Sequence, residues 1–188
     1  TEFYKKYALI NSGPIGLLLN REKETAYDTS TVAQQTGQGI VFIRAVAYNV
    51  TYTVKIDDAE VATFTTPKAD ADENEISTSA VAEALETAIN ATAGYSANRN
   101  QYVIHVTKDD DTDFRLEIDD GRSSELANAF TNKVQNLASL PIIAPQDYVI
   151  EVESDPSTTI DNRWLKFNAF ADLSAGVMGE GGWQETVA

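Results

Sequence analysis

"GIVFIRAVAYNVTYTVKIDDAEVATFTTP", residues 39–67, reads as two strands joined at Asp57-Asp58. Val50, Tyr52, Val54 and Ile56 are separated by Thr51, Thr53 and Lys55, the period of two that marks a half-buried strand. Residues 40–46 alternate in the same way, and Val61–Thr65 resumes after the Asp57-Asp58-Ala59-Glu60 turn. Pro67 ends the ladder because it has no N–H to donate. No nucleophile motif, ligand set or phosphate loop interrupts the stretch. Its content is architectural.

Outward from it the period changes. Over residues 77–93, Val81, Leu85, Ala88 and Ile89 share one helical face while Glu83 and Glu86 lie off it. Ser77 reads as the N-cap and Gly94 as the C-cap glycine. At "QYVIHVT" the period returns to two, with Tyr102, Ile104 and Val106 on one face and His105 alternating outward. After an acidic turn, Phe114, Leu116 and Ile118 share a face of the next strand. A second helix is expected over 124–137, where Leu126, Phe130, Val134 and Leu137 step by three and four and Pro141 lies beyond the end. "DYVIEVES" and "RWLKFNAF" form a further hairpin, whose first strand echoes "QYVIHV".

The predicted fold is therefore α+β: antiparallel sheets and hairpins with two amphipathic helices covering one face. Tyr52, Val54, Leu85, Ile104, Leu116, Phe130 and Ile150 are its expected core. Residues 1–37 read as an N-terminal strand and connecting segment and 38–145 as the hairpin-and-helix domain. Residues 146–188 read as a further hairpin that begins the next domain. The chain opens on Thr1 rather than Met and stops in a strand-like run, "GGWQETVA", so it is expected to be an internal piece of a longer protein.

Composition narrows the function. The 188 residues are 43% hydrophobic, enough for a real core, and include no cysteine, which excludes disulfides and thiolate metal sites. The longest apolar patch, "ALINSGPIGLLLN", is cut by Asn11, Ser12, Gly13 and Pro14 and falls short of the roughly 18 residues that span a bilayer. A net charge of −15 argues against grip on DNA phosphates or an anionic membrane surface. Acids concentrate at Asp70, Asp72, Glu73 and Glu75, and more densely at Asp109, Asp110, Asp111 and Asp113.

Each trace of chemistry has a plainer reading. Asp109, Asp111 and Asp113 have the alternate spacing of a calcium loop, but Phe114 stands where that loop needs Gly and Asp120 where Glu is usual. His105 is the only histidine, and no G-x-S-x-G motif accompanies it. One His without Cys is a poor zinc site. Paired carboxylates for glycosidase work are too easily found in an acidic chain to carry weight. "GEGG" near Gly179 lacks the strand-then-helix context of a phosphate loop, and "GPIG" at Gly13 is a turn. "NVT" at Asn49 and "NAT" at Asn90 match the glycosylation pattern without a secretory context. No catalytic, cofactor-binding or metal-binding residue is assigned, and the chain is expected not to be an enzyme.

The order of phrases carries more than any one of them. The 39–67 hairpin follows "LLLNR" at 17–21 and precedes "VAEALETAI" at 81–89 and "QNLASLPIIAP" at 135–145. "YVIEVESDPSTTIDNRWLKF" at 148–167 and "GGWQETV" at 181–187 complete the series. In that order the chain resembles the nozzle proteins, or tail tubular protein B, of short-tailed bacteriophages. The resemblance implies a virion structural protein made in the bacterial host cytoplasm. It implies a hexameric ring below the adaptor ring (tail tubular protein A), tail fibres docked on it, and DNA ejected through it without specific binding or a membrane. Two other classes stand as alternatives: a tail-associated hydrolase acting on the host surface, or a carbohydrate-binding module offering Tyr48, Tyr52, Trp164 and Trp183 as stacking faces.

Overall fold

A computed structural model describes residues 7–12, 15–20, 35–69, 76–153, 157 and 162–186. The chain divides into two compact units, residues 1–30 and 31–188. In the first, β1 (Tyr7–Ser12) and β2 (Ile15–Asn20) form an antiparallel hairpin with Tyr7 opposite Asn20 and Ser12 opposite Ile15. Gly13 and Pro14, at the expected turn, and the acidic residues 70–75 lie outside the described residues.

The second unit begins with β3 (Gln38–Ile43), β4 (Thr51–Ile56) and β5 (Ala59–Thr65). The hairpin in the 39–67 stretch is β4–β5. Its two-residue turn puts Asp57 at φ 50° and Asp58 at φ 68°, the left-handed pair that matches the twist of the flanking strands. β3 does not join them. It runs in a different sheet, between β7 (Val103–Lys108) and β9 (Ala127–Phe130), with β6 (Tyr95–Asn100) beyond β7. β8 (Leu116–Asp119) pairs with β4, so the order β5-β4-β8 makes a three-stranded sheet.

The helix α1 (Thr78–Asn90) forms where its periodicity predicts. The Ser77 hydroxyl caps it by accepting the Ala80 N–H at 3.0 Å, and Val81, Ala82, Leu85 and Ile89 form its buried face. Gly94 is not its cap. The helix ends at Ala91, and Gly94, at φ 92°, opens β6. β6, "YSANRN", has almost no apolar signal. It is an edge strand held by its ladder to β7 and by Arg99, whose backbone N–H and guanidinium both bond the Glu86 carboxylate of α1, at 3.0 and 3.2 Å.

The second helix does not form over 124–137, and with it the two-helix α+β expectation fails: among the described residues the fold is mostly antiparallel β-sheet with one α-helix. Residues 127–130 are β9, paired with β3, and Lys133–Val134 is β10; only a 3-10 turn at Leu137–Ser139 follows. The reason lies just upstream. Ser123 and Ser124 sit at φ 57° and 62°, which breaks any helix start there. Asp120 then takes the backbone N–H groups of Leu126 and Ala127, directing the chain into an extended path beside β3. Asn128, Phe130, Thr131, Asn132 and Val134 are weak helix formers and do not resist. Leu126, Phe130 and Val134 are buried as expected, but in a β context.

β10, β11 (Ile143–Pro145), β12 (Val149–Val152), β13 (Arg163–Ala169) and β14 (Met178–Thr186) build a five-stranded sheet in the order β10-β12-β13-β14-β11. The predicted hairpin is β12–β13, with Ile150 opposite Leu165. The four-stranded sheet is the middle layer. Val41, Ile43, Ile104 and Val106 pack toward α1 and the three-stranded sheet. Ile40, Val103 and Phe130 pack toward the five-stranded sheet, against Ile143, Tyr148, Ile150 and Phe167. All seven expected core residues are buried.

Candidate functional site

Buried polar groups are where chemistry would be sought, because each must be satisfied or put to use. Asp120 is 1% exposed. Its Oδ1 accepts the N–H groups of Arg122 (2.8 Å) and Ser124 (3.1 Å), and its Oδ2 those of Leu126 (2.7 Å) and Ala127 (3.1 Å). Burial pushes this carboxyl up, but the four donors outweigh it and hold it below the ordinary carboxylate range. With four donors bound, it organises the loop.

His105 is 8% exposed, not outward-facing as its alternation from Ile104 and Val106 predicts. The middle sheet is covered on both sides, so both faces of β7 are interior. The His105 Nε2 lies 3.0 Å from Gln38 Oε1, and its ring stands edge-on to Tyr148 at 6.2 Å. Burial lowers its pKa to about 4, so the imidazole is neutral at pH 7. The Tyr148 hydroxyl donates to the Thr131 carbonyl, and burial pushes its phenol up.

The acidic turn after β7 is not a hairpin turn; it carries the chain across to β8 in the neighbouring sheet. Asp110 Oδ1 accepts the Thr112 hydroxyl (2.7 Å) and N–H (3.1 Å), bonds that hold it below its usual range, and Lys108 Nζ lies 3.8 Å away. Phe114 is in the core and Asp120 caps its own loop, so neither end of the calcium pattern is free. Among the described residues, no three His, Asp or Glu side chains converge to hold a metal ion.

The other motifs are equally committed. Gly179 lies within strand β14, not in a loop. The Asn90 amide bonds the Ala97 carbonyl (3.0 Å) and N–H (2.7 Å), tying α1 to β6. Asn49 is exposed at φ 54°, in the turn before β4. Tyr52 is interior, with its hydroxyl on the Ala45 carbonyl at 3.2 Å. Trp183 stands at 5.2 Å to Phe167 and 6.3 Å to Tyr148, steep to both rings, and donates Nε1–H to Pro141 at 2.8 Å. Tyr48 and Trp164 are half-buried. These rings do not form one sugar-stacking face.

What the surface offers is open and polar. A cleft of about 360 Å³ between β8 and β9 is lined by Lys55, Glu117, Asp119, Ser123, Ser124 and Asn128 among others. Phe170, 84% exposed, and Ile142 flank β14, bonded through their backbones to Glu180 and Gly181. No helix among the described residues is long and apolar enough to cross a membrane.

Of the buried polar side chains, Asp120 and Thr66 serve the backbone, while His105 and Glu151 meet the side chains of Gln38 and Lys133. The chain belongs to the bacteriophage nozzle protein family, whose model matches residues 6–188. It is also similar to the tail tubular protein gp12 of Escherichia phage T7, at 26% identity over 135 residues, or 70% of this chain. The match covers 17% of that relative's length.

Proposed function

We propose that this chain is a wall segment of the nozzle through which phage DNA leaves the virion, acting without turnover. The observation that carries this reading is the family match over residues 6–188. The whole protein forms a hexameric ring, meets the adaptor ring above it, and offers docking for tail fibres. It is made in the host cytoplasm and carried in the virion. The net charge of −15 suits a conduit: carboxylates facing phosphate repel it, so DNA passes without being held.

The test uses the full-length protein in assembled tails. Cryo-electron microscopy of virions should place this segment in the tube wall with six copies around the axis. Purified tails lacking it should fail to eject DNA. Peptidoglycan or capsule hydrolysis that disappears on replacing one Asp or Glu of this segment would replace the structural reading with the tail-associated hydrolase. Saturable sugar binding lost on replacing Tyr48 or Trp164 would replace it with the carbohydrate-binding module.

A further inference from the structure

The middle sheet is sealed very differently on its two faces. Toward α1 and the three-stranded sheet the seam is formed by Val41, Ile43, Ile104, Val106 and their apolar neighbours. Toward the five-stranded sheet, a polar knot is set among the apolar side chains. It contains His105 against Gln38 Oε1, Tyr148 against the Thr131 carbonyl and the Gln38 carbonyl (3.4 Å), and Gln35 Nε2 on the Asp147 carbonyl (3.1 Å). His105 is its one group able to gain a charge near neutral pH.

The Gln38 acceptor places the neutral ring's proton on Nε2, so a second proton must go to Nδ1 of this buried ring. Among the described residues no counter-charge waits there. Tyr148 is, among the described residues, the titratable group in ring contact with the imidazole, and its phenol supplies no charge at neutral pH. In register, His105 lies opposite Ile40 on β3 and Asn98 on β6, both uncharged. On the packed sheet, Asp147 is 3.1 Å from Lys166 and Glu151 is 3.0 Å from Lys133. On the ring's own sheet, Arg99 is paired with Glu86 (3.2 Å) and Lys108 with Asp110 (3.8 Å).

We propose that the packing of the five-stranded sheet on the middle sheet is an acid-operated latch: protonation of His105 releases the five-stranded sheet while α1 and the three-stranded sheet stay packed. Burial lowers the imidazole from 6.5 to about 4, and opening the seam returns it toward 6.5. The open form therefore binds the proton more tightly. The seam is fully closed above pH 6.5 and weakens as pH falls through 6.5 toward 4. The opening constant rises about 20-fold by pH 5 and about 120-fold by pH 4 relative to pH 7.

The sequence contains one histidine, so its ring C–H signals report this site alone. In the 188-residue chain the imidazole should titrate near pH 4, not 6.5. Hydrogen exchange corrected for intrinsic rates should speed up about 20-fold between pH 7 and 5 in β12 and β13, with α1 unchanged. His105→Phe should abolish that step while keeping α1 protected. A ring titrating near 6.5 in the folded chain, simultaneous loss of protection in α1, or an unchanged step in His105→Phe would each overturn the latch. If His105→Phe fails to fold, the unmodified chain's ring titration and the comparison of β12 with α1 still decide.

Discussion

The carboxylate of Asp120 reaches across six residues to accept the N–H of Leu126 at 2.7 Å. That bond, with its three companions, closes the loop that delivers β9 to β3. Asp120→Asn keeps the shape but loses the charge and one acceptor, leaving buried N–H groups poorly satisfied. It should cost on the order of 3 kcal/mol in urea unfolding. A loss below about 0.5 kcal/mol would show that the loop closes without the carboxylate.

The same site has a pH signature separate from that of His105. The folded Asp120 carboxyl is held below its unfolded value of 3.8, so its stabilisation is fully present above that value. It is lost as pH falls through the folded value. The unfolding midpoint of the parent chain should therefore drop more steeply below about pH 3.8 than that of Asp120→Asn. Parallel curves would remove this carboxylate from the acid response.

Leu85 is wholly buried on α1, whereas Leu137, in the 3-10 turn, is 56% exposed. Leu85→Ala should cost about 2–5 kcal/mol through lost transfer energy and a residual cavity. Leu137→Ala should stay within about 0.5 kcal/mol. Equal losses in thermal or urea unfolding would contradict the assigned faces.

Gly37 sits at φ 64°, and a Cβ there would come 2.6 Å from Asp111 Cα. The two segments are tied by the Lys108 N–H on the Gly37 carbonyl at 2.9 Å. Gly37→Ala must therefore strain its backbone and push the acidic turn away, at a cost of at least about 1 kcal/mol. The resonances of Asp109–Thr112 should shift with it. An unshifted acidic turn would refute the close approach.

At −15, the isolated chain should leave double-stranded DNA unshifted in a gel at about 20 mM salt, where any basic groove would show most strongly. It should also scatter light as a monomer, since like charge on each copy opposes association within a screening length of about 8–10 Å. Tight, salt-sensitive DNA binding would defeat the repelling-conduit reading. A stable ring formed by this chain alone would show that it holds the whole subunit contact.

Local signals were legible wherever a segment's own pattern settles its state. Val50, Tyr52, Val54 and Ile56 alternate because β4 has one face inside, and α1 shows its period and its Ser77 cap because both act within a few residues. Committed polar groups such as Asp120 and Asn90 carried no such mark: the atoms that satisfy them come from backbone several residues away.

The sequence by itself thus determined the strand and helix periodicities, the core side chains, the acidity and the family's order of phrases. Only the tertiary structure decided partners and faces. β3 left its neighbour β4 for β7 and β9, and "YSANRN" became a strand through β7 and the Arg99–Glu86 contact. Leu126, Phe130 and Val134 match a helical stripe, yet Asp120 drew their segment into a sheet. His105 alternates outward on paper and is buried in fact, because a sheet covered on both sides has no outside. Periodicity separates the two faces of a segment; whether each face is covered, and by which layer, is set by contacts between segments far apart in the chain.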